Sequence, residues 1–380
     1  MLRDSAKRSL LLLAAAIVCL SLLVTGPAAA SGGHAARKLR APKGFFGVVV
    51  GGQAMTRQDQ FALMHKSGVQ AVRGVFDWRS IESNQGAFNF AQTDLFVALA
   101  ASNGMNVLPI VIYTPRWASS QPSKPNYYLY QPASVTTYTT LLKALIARYG
   151  PTGSFWASHP TLPRKPIRQW QIWNEPAFPY FWASQPYYKT YPKFLKSAYR
   201  AVHSADHGAK VVTAGLANTT ANPSWKYLRL FYKYGLKRSF DILAAHPFAI
   251  SISHLLTIVK FDQDVMKKHG DGKKPIYLTE MSWPASVGQI PKSDYLGFET
   301  TPAKQAQLIK KAYPALLRTK SLRVAAAFWY QWASPYTPAS PSGQAVSFQY
   351  SGLLKSDDAG NFTPLPALSA YSQTERKYGR

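Results

Sequence analysis

Apolar residues along this chain gather in short, nearly unbroken runs that alternate with longer amphipathic stretches. From Gly44 onward the runs are residues 45–50, 69–76, 107–112, 168–173, 210–214, 241–245, 276–279 and 324–330. They are rich in Val, Ile, Leu and Ala with little polar alternation, as suits parallel strands covered on both faces. A short run cannot by itself be told from a piece of buried helix. The intervening stretches decide it: residues 58–66, 93–102, 135–149, 189–204, 224–234, 254–268, 302–318 and the tail from Ala367 carry helical patterning. Within 135–149, Tyr138, Leu141, Leu142, Leu145 and Ile146 fall at i, i+3, i+4, i+7 and i+8, which is one helix stripe. Asn103-Gly104 and His269-Gly270 supply helix-ending residues just before the next strand.

Strand–helix units in strict succession imply a parallel sheet with right-handed crossovers. With eight such runs the sheet can close on itself, so the expected fold is α/β, a single-domain (β/α)8 TIM barrel over residues 44–380. An open doubly wound sheet is the runner-up. The glycines from Gly44 to Gly52 lack the dinucleotide-binding spacing, and no phosphate-loop lysine motif occurs. The presumed strand-to-helix connections 119–132, 177–188, 282–300 and 334–351 are long and rich in Tyr, Pro and Trp. Loops of that length in a compact domain tend to bind ligands, and in a barrel they meet at one mouth.

The amino terminus reads as an export signal, residues 1–30. Arg3, Lys7 and Arg8 precede an apolar stretch from Leu10 to Val24, and Ala28-Ala29-Ala30 fits a small-x-small cleavage site. Residues 31–43 then form a flexible basic leader. The expected destination is secreted, with no membrane span after cleavage; an uncleaved anchor is the alternative. The only cysteine, Cys19, lies inside the signal, which removes disulfides, thiolate metal sites and a cysteine nucleophile from the remaining chain.

Aromatic residues at 13% and hydrophobic residues at 47% argue against disorder. The net charge of +27 draws the protein toward polyanions. The basic residues are scattered and carry no groove-reading motif, so nucleic acid is not the expected partner. Acidic polysaccharide or an anionic cell-wall polymer is; a generally basic surface explains the charge equally well. The histidines are dispersed without metalloprotease spacing, and no Gly-x-Ser-x-Gly elbow is present, so neither a metal nor any other cofactor is expected.

The chain has only 17 acidic residues, so a carboxylate at a strand end stands out. Glu175 follows the fourth run and precedes Pro176; Glu280 follows the seventh. In a closed barrel both point into the same mouth. Glycosidic cleavage needs such a pair, one protonated to assist the leaving oxygen and one ionised to meet the oxocarbenium-like carbon. Taken singly, each glutamate is as readily a helix-terminal charge or an ion-pair partner. Arg73, inside an apolar strand, needs a buried partner, either Glu280 or a purely structural one.

The segment Ile172-Trp173-Asn174-Glu175-Pro176 resembles the Asn-Glu-Pro motif after the fourth strand of clan A glycoside hydrolases. Tyr277-Leu278-Thr279-Glu280 is similar to their nucleophile segment, and Arg73 through Asp77-Trp78, Ile81-Glu82, Gly86 and Phe88 to their second strand and its loop. Pro115-Arg116-Trp117-Ala118 also fits. The likeness runs from about Gly44 to about Tyr371 and is nearest families 5 and 39. It implies a retaining O-glycosidase acting by double displacement, with Glu175 as acid/base and Glu280 as nucleophile. It further implies Asn174 on the sugar 2-hydroxyl and His246 on sugar hydroxyls or on Glu175. Trp329 would be the aromatic floor under the reacting sugar, with Trp117 and Trp283 lining the mouth. Phe248 stands where many relatives place a tyrosine that bonds the nucleophile; either another tyrosine takes that part or the nucleophile is tuned differently. The expected assembly is a monomer with a carbohydrate substrate. A non-catalytic glycan-binding barrel is the alternative reading, and a basic cell-wall adhesin is a third.

Overall fold

The computed structural model describes residues 39–219, 223–338 and 345–379. The expected signal, Cys19 and most of the leader lie outside them. The barrel strands are β1 (Phe46–Val49), β2 (Ala71–Asp77), β3 (Asn106–Ile112), β4 (Gln169–Ile172), β5 (Lys210–Val212), β6 (Leu216–Ala217), β7 (Leu243–His246), β8 (Ile276–Met281) and β9 (Val324–Trp329). They form one parallel sheet in the order β5-β4-β3-β2-β1-β9-β8-β7-β6. The two ends of that order are two pieces of one strand. A parallel bridge between Val212 and Ile242, with Thr213 donating to the Ile242 carbonyl at 3.1 Å, closes the ring between them. The fold is thus a (β/α)8 barrel whose fifth strand is interrupted at residues 213–215, and β7, β8 and β9 are its sixth to eighth strands.

The helices α1 (Gln58–Lys66), α2 (Trp78–Ile81), α3 (Ala91–Ser102), α4 (Val135–Tyr149), α5 (Ser154–Ser158), α6 (Tyr187–Ala205), α7 (Ser224–Lys233), α8 (Ile252–Lys268), α9 (Pro302–Arg318) and α10 (Pro366–Tyr378) surround it. Their starts are written in the sequence. Ser134, Ser251 and Thr301 each accept a backbone N–H in the first turn of α4, α8 and α9, and Pro302 opens α9 where its missing N–H costs nothing. Among the described residues, no helix is long and apolar enough to cross a membrane.

The core lies in two layers. A large cluster fills the space between strands and helices. A smaller one occupies the barrel interior: Val49, Ala71, Leu108, Val212, Ile242, Ala244, Ala326 and Phe328. Phe328 fits there because Gly47 faces it; a β-carbon on Gly47 would meet its ring at 2.4 Å. A three-stranded sheet, β10 (Ala333–Ser334), β11 (Leu354–Ser356) and β12 (Phe362–Pro364), follows the last barrel strand. The leader reading fails from residue 39 onward. Ala41 is fully buried and donates to the Tyr378 carbonyl at 2.7 Å, while Arg40 bonds the Gly379 carbonyl, so this short segment is held against the carboxyl-terminal helix.

Candidate active site

The site begins with Arg73. It faces into the barrel from β2, buried to 1% exposure, where an uncompensated guanidinium would be very costly. Three acceptors satisfy it: Nε donates to Gln171 Oε1 at 2.7 Å, Nη1 to Glu280 Oε1 at 2.7 Å, and Nη2 to Asn174 Oδ1 at 2.9 Å. Because arginine only donates, these bonds fix which way both amides point. The Asn174 oxygen is turned to Arg73, and its NH2 group is left without a protein acceptor among the described residues.

Two departures from regular strand geometry bring the acids to this centre. Gln171 points inward from β4, so alternation would send residue 173 inward and 174 outward. Trp173 instead adopts a left-handed backbone with φ of 70°, and its ring packs outward on Tyr138, Trp182 and Phe194. Glu175 is left-handed as well, at φ of 35°. Such a conformation costs a side-chain-bearing residue roughly 1–2 kcal/mol. The turn delivers Asn174 and Glu175 together to the interior. On β8 the register to β9 slips between Leu278 and Met281, so Thr279 and Glu280 together oppose Phe328. This β-bulge lets two consecutive side chains both serve the site.

His246 ends β7, fully buried, and joins the two halves. Its Nδ1 is 2.6 Å from Glu175 Oε1 and 3.5 Å from Glu280 Oε2; its Nε2 is 2.9 Å from Thr279 Oγ1. The imidazole occupies the space above Gly215, in the break of the fifth strand. A β-carbon there would lie 2.0 Å from Nε2, so glycine is what makes room.

Burial drives the electrostatics. It pushes the Glu175 carboxyl up to about 8, against the pull of the Arg73 charge. It holds the His246 imidazole down to about 3, opposed by Glu280 and reinforced by Arg73. At neutral pH Glu175 therefore carries a proton and His246 is neutral, while Glu280 faces a guanidinium. One oxygen from each carboxylate and His246 Nδ1 lie within 4.8 Å of one another. Two carboxylates and an imidazole are also possible ligands for a transition metal. Here the ring nitrogen is already hydrogen-bonded to Glu175 and Arg73 sets a positive charge on Glu280, so the donor set fits proton transfer better than a cation.

The tryptophans need correction. Trp329 is fully buried on the helix-facing side of β9, and its indole N–H donates to the Ser351 carbonyl at 2.9 Å. The inward positions of that strand are Ala326 and Phe328, so the next ring directed at the mouth is the half-buried Tyr330. Trp329 misses the mouth by one residue of phase, which exchanges the faces of a strand. Trp283 is also buried and donates to the Ala249 carbonyl at 2.7 Å, tying together the loops after β7 and β8. Trp117 stays half-buried; its N–H holds the Glu82 carbonyl at 2.9 Å and its ring meets Trp78 edge-on. Phe248 packs with Phe298, Phe348 and Tyr330 into an aromatic wall beside His246. Sequence reading also passed over Tyr180, whose phenol lies within reach of the charges of both Glu175 and Glu280. Its place five residues after Glu175 was the available signal.

Residues 52–128 match the model of glycoside hydrolase family 42, described as β-galactosidase. No match is found among curated protein sequences. Similar solved structures include a family 39 glycoside hydrolase from the gut symbiont Bacteroides cellulosilyticus, at 18% identity and a TM-score of 0.66 over 88% of this chain. The chain spans 63% of that protein's length. A glucosidase from Croceicoccus marinus is 16% identical with a TM-score of 0.58, covering 89% of this chain and 68% of its own. The intracellular xylanase of Thermoanaerobacterium saccharolyticum is 17% identical with a TM-score of 0.57, covering 86% of this chain and 95% of its own. The chain has the fold of the glycoside hydrolase barrels.

Proposed function

We propose that the protein is a retaining glycoside hydrolase that cleaves O-glycosidic bonds by double displacement. The observation that carries this is the carboxylate pair. Its nearer oxygens lie within 4.8 Å, close to the roughly 5–5.5 Å separation of retaining enzymes and short of the ~6.5–9.5 Å that leaves room for water in inverting ones. Burial also raises the Glu175 carboxyl, as an acid requires, while Glu280 is ion-paired with Arg73.

In the first step a Glu280 oxygen bonds to the anomeric carbon as the glycosidic C–O bond breaks, and Glu175 gives its proton to the departing oxygen. The new ester removes the charge of Glu280. Glu175, now ionised, takes a proton from water; the hydroxide formed attacks the anomeric carbon and releases Glu280. Asn174, its oxygen held by Arg73, presents its NH2 to the sugar 2-hydroxyl. His246, fully buried, acts on Glu175 rather than on the sugar.

The fold's relatives include a glucosidase and a xylanase, so the glycone is chosen outside the shared barrel. The basic balance, +27 over the full chain, favours an acidic polysaccharide or cell-wall polymer as substrate, met outside the cell after removal of residues 1–30. The test is hydrolysis by wild type and Glu280→Ala across aryl glycosides and neutral and acidic polysaccharides. Turnover of one sugar class that vanishes in the variant supports the reading. Glycan binding without turnover, equal in both proteins, would replace it with a binding barrel.

A further inference from the structure

The loop from Glu175 to α6 carries a group of aromatic residues that the carboxylate chemistry does not use. Tyr180 is 47% exposed, unusually open for so large a ring. It stacks face to face on Phe178, with centroids 5.1 Å apart and planes 9° apart, and leans on Phe181 at 5.0 Å. Its hydroxyl has no protein partner among the described residues, and the turn that carries it is tied to the acid, Phe178 N–H donating to the Glu175 carbonyl at 3.0 Å. Tyr227, on α7, packs edge-on against Tyr187 at 5.4 Å. The stacked rings of Phe178 and Tyr180 therefore stand on the proton donor's side of the pair. Beyond His246, toward β9, the wall is Phe248, Phe298 and Phe348, with Tyr330.

The glycosidic oxygen receives its proton from Glu175, so the leaving group must extend toward that side. A rigid ring with an open face and an unengaged phenol suits a sugar, which offers C–H surface and hydroxyls together. An alkyl or other apolar leaving group would make no use of the phenol. We propose that Tyr180, backed by Phe178, forms the subsite for a sugar as leaving group, so that the protein cleaves between sugar units of an oligo- or polysaccharide rather than releasing a small aglycone.

This inference rests on the hydrolase reading, and the experiment separates the two. Wild type, Tyr180→Ala, Tyr180→Phe and Glu280→Ala are assayed on an oligosaccharide and on the glycosyl fluoride of the same glycone. The fluoride needs no sugar in the leaving-group subsite. Losing the ring is expected to lower kcat/KM on the oligosaccharide about tenfold more than on the fluoride, and Tyr180→Phe to retain most of the stacking contribution. Equal losses on both substrates, or none on either, would overturn the assignment while Glu280→Ala still abolishes turnover. Activity that survives in Glu280→Ala, or wild type inert toward every fluoride and oligosaccharide, would instead remove the hydrolase reading and this inference with it.

Discussion

His246 Nδ1 stands 2.6 Å from Glu175 Oε1, a neutral base against a carboxyl that holds its proton. The pair sets an alkaline limit. As pH rises through about 8, Glu175 loses the proton that the leaving group needs, so kcat/KM on a sugar leaving group should fall. Glu175→Ala should lose roughly 10²–10⁴-fold on such substrates and far less on aryl glycosides whose leaving groups need no proton. Added azide should restore turnover by attacking the trapped glycosyl ester directly. A pH–rate profile with and without azide checks this; an unchanged alkaline limb in the variant would refute the assignment.

Arg73 holds Gln171 and Glu280 on two other strands and Asn174 in the turn after β4, and lysine can supply its charge but not its three-way fork. Arg73→Lys should fold and lose about 10²-fold in kcat/KM, a cost of ~2.7 kcal/mol in transition-state binding. Arg73→Ala should in addition lower stability by about 3–5 kcal/mol, since it strands a buried carboxylate. Urea unfolding and steady-state kinetics on the two variants separate these effects.

Gly215 is needed for space rather than for backbone freedom. In Gly215→Ala the new methyl meets the His246 ring, which must move off Glu175. The variant should match His246→Ala in its pH profile, with the alkaline limb displaced. A profile indistinguishable from wild type would mean that the imidazole does not tune Glu175.

Away from the mouth, burial pushes the Asp262 carboxyl up to about 7, while the Ser224 hydroxyl bonded to both of its oxygens acts in the opposite direction. The folded state binds this proton more tightly than the unfolded chain, whose carboxyl titrates near 3.8. The stability it gives is complete below that value and is lost as pH rises to about 7. Glu175 adds a loss of the same sign up to about 8, and His246 acts oppositely between about 3 and 6.5. Asp262→Asn should therefore lessen the fall in Tm between pH 5 and 7.5, measured by calorimetry; an undiminished fall would refute it.

The barrel was legible because its strands are continuous apolar runs and its helices are amphipathic; the run at 276–279 and the helix at 135–149 need only local rules. The two glutamates were legible because each ends a strand in an acid-poor chain. What escaped was phase. Regular alternation fails at Trp173, where the backbone turns left-handed, and at Thr279–Glu280, where a bulge inserts. Nothing in the residue types announces either, and the same uncertainty put Trp329 on the wrong face. Exposure escaped as well: Trp283 and Tyr180 are both aromatic loop residues, yet one is a buried tie and the other an open ring.

Arg73, Gln171, His246, Thr279 and Glu280 all belong to strands, while Glu175, Tyr180 and Phe298 belong to the connections after them. The charge centre of Arg73 and Glu280 is thus mounted on the barrel, and the aromatic rings of Tyr180 and Phe298 on the connections. A designer could exchange the segment after Glu175 for one from another barrel without disturbing the charge centre. Natural drift has the same freedom, which suits a fold found around both a glucosidase and a xylanase at under one-fifth sequence identity.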